Sequence, residues 1–423
     1  GINESGDEFG NTPNPYTVPN FSEEDQTTSN TDLSNVKAFI ESGANTIRLP
    51  LHWGYIQPDG AGQGNLYTNY FESYVKPQLK TLTKAKVNVI VDLHAYFRYS
   101  EFGKQYAGCT DVPGVPCPDG TPINDSGPYV DVWTKIYNDL KNDPNIDMDY
   151  VQFDLSNEPV EVPGDKVFTV QMDVVKALLQ AGFKGKILLS GNGWDGLHSW
   201  TTLEWTSEDG NTYTNAKLFT RENMLKAGLS EEVIDQQILI NVHQYLDSNY
   251  SGTGNSCQTD LSTTGPNGFN LQAFADWLQE NQLKAIVTEF GAGTDQSTCS
   301  TALKQFLDYL KANSASINKN YGFVGWTFWS AGHGWGSNYP LLVTPTSYQW
   351  KTALEYVSLD SQLNPTFTPI NNDSQPEQKV IIIENSANET GWKKVDNLRG
   401  YFSDAKNGTL PTFSLFGSSQ QPD

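Results

Sequence analysis

The chain has 423 residues and carries 27 Lys and Arg against 49 Asp and Glu, which gives a net charge of −22. A surface this acidic repels phosphate polymers, so we expect no nucleic-acid partner, and an anionic polysaccharide is disfavoured for the same reason. The length allows either one large α/β barrel of ~250–400 residues with a remnant, or two to three ordinary domains.

Strand-like apolar runs and helical patterns alternate along the chain. The predicted strands are the start of Gly1–Gly10, then Asn45–Leu51, Val87–His94, Val151–Pro159, Lys186–Asn192, Gln237–Tyr245, Lys284–Gly291 and Phe323–Trp329. The predicted helices are Asp32–Ser42, Tyr67–Ala85 with a break near Pro77, Tyr129–Asn142, Val167–Ala181, Glu222–Leu229, Leu271–Asn281, Thr301–Ala312 and Trp350–Val357. Eight strands in strict alternation with helices predict parallel strands closed into a (β/α)8 TIM barrel.

The composition changes after about Asp360. The segment Asn364–Glu377 is polar and rich in Pro and Asn, as linkers are. Roughly 45 residues follow, which is too few for an independent core to be expected. We therefore predict a catalytic barrel over residues 1–360, and a linker with a short appendage of unknown role over residues 361–423.

The four cysteines, Cys109, Cys117, Cys257 and Cys299, form no CxxC and no zinc-site spacing. Three pairings are open, and proximity in sequence favours Cys109–Cys117, which leaves Cys257–Cys299. Disulfides would indicate an oxidising compartment, so we expect a secreted, extracellular protein; four free thiols are the alternative. No run of ~18 apolar residues occurs, so no membrane partner is expected.

Two predicted strands end in a glutamate. Glu158 closes the run VQFDLSNEP, and Glu289 follows the apolar residues of KAIVTEFG. Because parallel barrels place the carboxyl ends of their strands at one rim, these two carboxylates are expected to meet there. For either residue alone, a solvated position at a strand end is an equally good interpretation.

Further polar and aromatic residues fall at the other predicted strand ends: Arg48, His94, Asn157, His243, Tyr245 and Trp329. Each has a structural alternative, such as a hydrogen-bonded histidine, a buried ion pair or a packed tryptophan. Together they suit acetal hydrolysis, in which an acid protonates the departing oxygen and a carboxylate attacks or stabilises the anomeric carbon.

Each of these residues has an expected part in that chemistry. An arginine beside Glu289 would favour its ionised form, and Tyr245 could donate to the same oxygen. Asn157 could bind a sugar 2-hydroxyl, and His94 and His243 could hold hydroxyls or relay hydrogen bonds. Trp329 offers a flat face to a sugar ring, in a chain that is 12% aromatic with 11 Trp and 20 Tyr.

Several longer motifs in order make the chain resemble glycoside hydrolase family 5, in particular its cellulase-type endoglucanases. The matching pieces are GINESGDEFG, NTIRLPLHW, VDLHAYFRY, LSNEP, SGNGWDGLHSW, NVHQYLDSNYSGTG, VTEFGAG and WSAGHGWG. The resemblance covers Gly1 to about Val357. It implies a retaining mechanism with Glu158 as acid/base and Glu289 as nucleophile.

The resemblance also implies the substrate-binding set: Arg48, His94, Tyr96, Asn157, Trp194, His243, Tyr245 and Trp329. Within that set, Trp194 is expected to stack on a sugar beside the cleaved bond. The pair Cys257–Cys299 falls where related enzymes have a bridge. No metal and no organic cofactor is implied, and the pattern HExxH does not occur.

Some features depart from the family pattern. His94-Ala95-Tyr96 stands where relatives usually carry His-Asn-Tyr, so one hydrogen-bonding side chain is lost. The segments Glu101–Pro128 and Leu203–Glu231 are longer than usual and follow strands, so they are expected on the active-site face.

The sequence thus predicts a monomeric endo-β-1,4-glucanase acting on cellulose-like β-glucan. One alternative is a mannanase or a broader β-glucanase on the same barrel. Another, from a different class, is a non-catalytic sugar-binding protein, which would be marked by the loss of one carboxylate.

Overall fold

The computed structural model describes residues 1–5, 8, 32–100, 120–208, 210–332, 335 and 338–356. Within them, nine strands form one parallel sheet that closes on itself. These are β1 Ile2–Glu4, β2 Thr46–Leu51, β3 Asn88–Leu93, β4 Val151–Asp154, β5 Ile187–Ser190, β6 Ile238–Tyr245, β7 Lys284–Gly291, β8 Gly322–Trp326 and β9 Phe328–Ala331. The predicted TIM barrel is confirmed, with β8 and β9 sharing its eighth position.

The predicted strand Phe323–Trp329 is divided at Thr327. Strand β8 pairs with β7, whereas β9 pairs with β1, and both pairings are parallel. The N–H of Thr327 donates to Val287 O at 2.9 Å, and the N–H of Phe328 donates to Gly1 O at 3.0 Å. The chain thereby passes from one neighbour to the other, which closes the barrel.

Helices surround the strands. They are Asp32–Glu41, Trp53–Ile56, Thr68–Tyr70, Lys76–Lys84, Ser126–Lys141, Gly164–Ala181, Asn215–Leu218, Arg221–Lys226, Glu231–Gln237, Leu271–Glu280, Gln296–Ala312 and Tyr348–Leu354, with a π turn at Phe71–Val75 and a 3-10 turn at Met148–Tyr150.

Three helical predictions differ from the structure in instructive ways. The predicted helix Tyr67–Ala85 is continuous over Thr68–Lys84 but changes to a π turn at Phe71–Val75, just before Pro77. Helix Ser126–Lys141 begins three residues early because the Asp125 side chain accepts the N–H of Gly127 at 3.1 Å. The region around Glu222 holds three short helices instead of one.

Inside the barrel, an apolar layer lies below a polar one. Strand residues alternate between the barrel interior and the helices. The lower interior layer is a separate apolar cluster of Ile90, Leu188, Leu239, Ile286, Ala315 and Val324. Asp92 follows Ile90 on the same face of β3 and is fully buried. Charged side chains therefore begin one step above the apolar layer, toward the carboxyl ends of the strands.

One disulfide, Cys257–Cys299, joins the segment after β6 to the helix that follows β7, with an S–S distance of 1.98 Å. This predicted pairing is confirmed. The predicted pair Cys109–Cys117 and the predicted appendage 361–423 lie outside the described residues. Among the helices described, none is both long and apolar enough to cross a membrane.

Candidate active site

The predicted site residues all lie on strands at, or on loops just after, the carboxyl end of the barrel. Arg48 is in β2, His243 and Tyr245 are in β6, Glu289 is in β7 and Trp329 is in β9. The others lie on loops: His94 and Tyr96 follow β3, Asn157 and Glu158 follow β4, and Trp194 follows β5.

Glu289 is held by two donors, one on each carboxylate oxygen. Arg48 Nη1 donates to Oε1 at 2.7 Å, and the Tyr245 hydroxyl donates to Oε2 at 2.6 Å. The expectation that both would meet the same oxygen is wrong. Burial raises the pKa of Tyr245 well above its ordinary value, and the Glu289 charge acts in the same direction, so the hydroxyl keeps its proton. Both Glu289 oxygens are thereby stabilised as a carboxylate.

Arg48 is the hub of the polar layer. Its side chain is fully buried and also contacts Asp92 and Asp154, each at 3.0 Å. Two amide oxygens complete its shell: Asn3 Oδ1 at 3.0 Å and Asn157 Oδ1 at 2.8 Å. Because a guanidinium cannot lose its proton, this cluster keeps one fixed positive charge beside Glu289.

Glu158 lies on the loop after β4 and has a positive φ of 42°. Its Oε1 is 2.8 Å from Nδ1 of His243. No arginine or lysine among the described residues forms an ion pair with it. The two glutamates therefore differ: Glu289 faces cationic and hydroxyl donors, whereas Glu158 faces an imidazole.

The hydrogen bonds around His243 decide where the proton lies. Asn241 Nδ2 donates to Asp154, so its Oδ1 accepts the Thr288 hydroxyl at 2.5 Å. Thr288 Oγ1 in turn accepts from Nε2 of His243 at 2.9 Å. Burial lowers the pKa of His243 well below its usual value, and the Arg48 charge adds to this. The ring is therefore neutral, with its lone pair on Nδ1, and Glu158 must be the donor between them.

The two carboxyl groups lie close together. One oxygen of Glu158, Nδ1 of His243 and one oxygen of Glu289 are all within 4.8 Å of one another. Burial raises the pKa of Glu158 well above its ordinary value, and the nearby charges of Glu289 and Asp195 raise it further. Burial also raises the pKa of Glu289, but the Arg48 charge and the Tyr245 hydrogen bond oppose it. Glu158 is thus the member of the pair that holds the shared proton.

His94 forms a second neutral relay. Its Nδ1–H donates to Asp92 Oδ2 at 2.8 Å. Its Nε2 accepts from the Tyr96 hydroxyl at 3.0 Å and from Asn157 Nδ2 at 3.2 Å. Burial lowers the pKa of His94 to about 3, which keeps the ring neutral. The relay fixes Asn157, the residue next to Glu158.

Aromatic rings flank the carboxylates. Trp329 stacks on His94 with 5.7 Å between ring centroids and an interplanar angle of 13°. Its Nε1–H donates to the Tyr339 hydroxyl at 2.9 Å, and Tyr339 stacks on Trp335 at 3.9 Å. Trp194 meets the edge of Tyr96 at 5.9 Å. His94 thus joins two aromatic groups, Tyr96 with Trp194 and Trp329 with Trp335 and Tyr339.

Glu158, His243 and Glu289 are also the one group of His, Cys, Asp or Glu side chains, among the described residues, close enough to share a metal ion. Each of the atoms involved already has a partner: Glu158 with His243, and Glu289 with Tyr245. The three side chains thus already belong to one hydrogen-bond network.

Several functional neighbours were missed from the sequence: Asn3, Asp92, Asp154, Asp195, Asn241, Thr288 and Tyr339. A signal existed for Asp92 and Asp154, because each interrupts an otherwise apolar strand and a buried charge requires a partner. Asn3, Asn241 and Thr288 carried no such signal, since a neutral side chain in a strand is unremarkable until its partner is known.

Comparison with known proteins accounts for this geometry. Residues 3–333 match the family model described as Cellulase (glycosyl hydrolase family 5). The chain belongs to glycosyl hydrolase family 5. It is therefore an enzyme that hydrolyses glycosides, and the interpretation as a non-catalytic binding protein is set aside.

Individual members of family 5 are moderately similar. Endoglucanase 1 of Robillarda sp. (strain Y-20) is 29% identical over 290 residues, which are 68% of this chain and 65% of that enzyme. Endoglucanase 1 of Saitozyma flava is 27% identical, with 73% of this chain and 76% of that enzyme covered. The structure also superposes on that of XacCel5A in complex with cellopentaose, with a TM-score of 0.62, 28% identity, and coverage of 84% and 98%.

Proposed function

We propose that this family 5 enzyme cleaves internal β-1,4-glucosidic bonds of cellulose or a related β-glucan, with retention of configuration at the anomeric carbon. The observation that carries the mechanism is the pairing of an ionised Glu289 with a protonated Glu158. One oxygen of each lies within 4.8 Å of the other, which is nearer to the ~5 Å between carboxyl groups of retaining enzymes than to the ~6.5–9.5 Å of inverting ones.

In the first step, the Glu289 carboxylate attacks the anomeric carbon while Glu158 transfers its proton to the glycosidic oxygen. The bond between that carbon and that oxygen breaks, the leaving sugar departs with a free hydroxyl, and a covalent ester to Glu289 remains. Arg48 and Tyr245 hold the attacking carboxylate with one oxygen each, which orients it before reaction.

In the second step, Glu158 is a carboxylate and removes a proton from water. The water oxygen attacks the anomeric carbon, the ester bond breaks, and the Glu289 carboxylate is restored. The His243 lone pair faces the ionised Glu158 at 2.8 Å. Because a lone pair repels an anion, this contact favours return of the proton to Glu158 and readies the site for the next turnover.

The choice of β-glucan rests on similarity rather than on subsite geometry. Two relatives are named endoglucanases, and XacCel5A was solved with cellopentaose. The aromatic faces of Trp194 and Trp329 suit the apolar faces of glucose rings. A preference for mannan over glucan is the alternative to be tested, but no contact of the described residues favours it.

Two measurements test this function. Proton NMR of cellopentaose hydrolysis should show the β-anomer first, since two inversions give retention. On carboxymethylcellulose, viscosity should fall much faster than reducing ends appear, which marks internal cleavage. A first-formed α-anomer would contradict the mechanism, and faster release from mannan than from any glucan would contradict the substrate.

We also propose that the enzyme acts outside the cell as a monomer. The Cys257–Cys299 disulfide supports an oxidising compartment, and the net charge of −22 opposes self-association. Light scattering coupled to gel filtration should give a mass near 46.9 kDa for this chain. A mass of twice that value, independent of dilution, would contradict the monomer.

A further inference from the structure

Asp195 lies between the acid and the histidine that receives its hydrogen bond. Its carboxylate Oδ2 accepts the backbone N–H of Glu158 at 2.9 Å, and its own carbonyl accepts the N–H of His243 at 2.8 Å. We propose that Asp195 is a positioning residue, whose side chain fixes the backbone of Glu158 and so holds the acid against His243. This inference rests on the proposed function, in which Glu158 is the acid.

The two loops that carry these residues lock each other in place. Trp194 N–H donates to Pro159 O at 3.1 Å, next to the bond between Glu158 and Asp195. Glu158, Trp194 and Asp195 have φ values of 42°, 63° and 54°. Such values cost non-glycine residues roughly 1–3 kcal/mol each and persist where surrounding contacts hold them. The backbone of the acid therefore depends on the Asp195 side chain.

The Asp195 side chain is fully buried, and its Oδ2 accepts the Glu158 N–H. A hydrogen bond from the Gly191 backbone also acts on this carboxyl group. The imidazole of His243 is near it, with Nε2 3.9 Å from Oδ2, but that N–H is committed to Thr288. Because burial raises the pKa of Asp195 well above its ordinary value, we assign its role to the hydrogen bond that it accepts rather than to a fixed charge.

Other charged groups also influence the pKa values of Asp195 and Glu158. Burial raises the pKa of Asp195, and the charge of Asp154 raises it further. The hydrogen bond from the Glu158 N–H and the charge of Arg48 act in the opposite direction. Glu158 is influenced by Glu289, Asp195, Arg48 and Asp92. Glu158 in turn raises the pKa of the Tyr245 and Tyr339 hydroxyls. Among these carboxyl groups, that of Asp195 accepts the backbone N–H of Glu158.

The test separates charge from position. Asp195→Asn keeps an oxygen that can accept the Glu158 N–H but removes the charge, whereas Asp195→Ala removes both. Carbon-13 NMR of labelled glutamate carboxyls, with the Glu158 signal assigned by its loss in Glu158→Gln, reports the pKa of Glu158 without any turnover. The alkaline limb of kcat/KM reports the same group during hydrolysis.

In Asp195→Asn, which keeps an oxygen for the Glu158 N–H, we expect kcat and the pKa of Glu158 to stay close to the wild-type values. In Asp195→Ala we expect a loss in kcat of roughly 10²-fold from misplacement of the acid, with little change in KM, and a shift in the pKa of Glu158. Asp125→Asn is the matched control, because exposed Asp125 also accepts a backbone N–H, from Gly127. It should change neither quantity.

A kcat in Asp195→Ala equal to that of Asp195→Asn overturns the positioning role. If the wild-type enzyme cleaves no β-glycan, the proposed function fails on its own, and the NMR titration still decides whether Asp195 controls Glu158.

Discussion

The two glutamates at the barrel mouth are the same residue type in opposite surroundings. Glu289 lies within strand β7, and both of its oxygens accept hydrogen bonds from the side chains of Arg48 and Tyr245. Glu158 lies on an irregular loop with a left-handed φ, and its oxygen faces the neutral imidazole of His243. One carboxyl group is thus built to stay ionised, and the other is built to hold a proton.

The difference shows that the neighbouring side chains, rather than the residue type, determine which glutamate holds a proton. In the proposed mechanism, strand geometry suits the attacking group, because a nucleophile must be held in a fixed orientation. A loop suits the acid, because its surroundings can be tuned by residues from several elements, here His243 from β6 and Asp195 from the loop after β5. Variants that exchange or erase these surroundings should separate the two roles.

The largest effect is expected from removing each carboxylate in turn. Glu289→Ala should lose roughly 10⁵-fold or more in kcat on every substrate, in line with other removed nucleophiles. Glu158→Ala should lose about 10²–10⁴-fold on polymer, but far less on a dinitrophenyl cellobioside, whose leaving group needs no acid. Azide should rescue both variants, giving the β-glycosyl azide with Glu158→Ala and the α-glycosyl azide with Glu289→Ala. The reverse pattern would exchange the assignments.

The next largest effect concerns the charge that supports Glu289. Arg48→Met would leave Asp92, Asp154 and Glu289 buried without their cation, so we expect a loss of about 3–5 kcal/mol in the free energy of unfolding. Urea denaturation measures it. Lys226→Met, which breaks a solvent-exposed pair with Glu222, is the control and should leave the transition unmoved. A decrease in the free energy of unfolding below about 1 kcal/mol for Arg48→Met, which is the size expected of a surface ion pair, would contradict the role of Arg48 as the centre of the buried ion cluster.

A smaller effect, on pH dependence, sharpens the comparison. Glu158 must be protonated to act, so activity falls as pH rises through its raised pKa. Glu289→Gln removes the adjacent negative charge, and we expect the pKa of Glu158 to fall in carbon-13 NMR titrations. Protonated Glu158 contributes fully to the free energy of unfolding at pH values below the pKa that Glu158 has in the unfolded chain. This contribution is lost as pH rises through the raised pKa of the folded state, and in Glu289→Gln the loss should occur at a lower pH. Exposed Glu280→Gln should leave the Glu158 titration in place.

The smallest effect is expected in the aromatic wall. Tyr339→Phe removes the oxygen that accepts the Trp329 Nε1–H at 2.9 Å. An unmade hydrogen bond of this kind costs about 1 kcal/mol, so kcat/KM on cellopentaose should fall roughly fivefold, mainly through KM. Tyr356→Phe removes a hydroxyl bonded to Asp308, among the outer helices, and should not change KM. Equal effects in the two variants would mean that Tyr339 does not orient Trp329.

Much of this arrangement could be predicted from the sequence. Eight apolar runs located the strands, because both faces of a parallel barrel strand are buried and the runs are nearly continuous. Glu158 and Glu289 stood out as carboxylates at two strand ends. The resemblance to family 5 supplied Trp194 and Tyr96, which no pattern of residues would have selected.

Other features depended on contacts that a sequence does not contain. The break at Thr327 arises because one chain segment pairs first with β7 and then with β1. The direction of the proton between Glu158 and His243 depends on Thr288 and Asn241, whose part is set by hydrogen bonds rather than by spacing. The register of strands, which brings these side chains to one level, is a property of the closed barrel.

The ion cluster around Arg48 makes the two halves of the barrel electrically dependent on each other. Strands β1–β4 supply the cation together with Asp92 and Asp154, whereas β7 supplies Glu289 from the other half. A fragment holding the first half would retain a guanidinium paired with Asp92 and Asp154, but one holding the second half would keep the Tyr245 hydroxyl on Glu289 without its cation. Circular permutants that keep every strand should therefore be tolerated far better than half-barrel fragments, which constrains how such a chain could be assembled from smaller pieces.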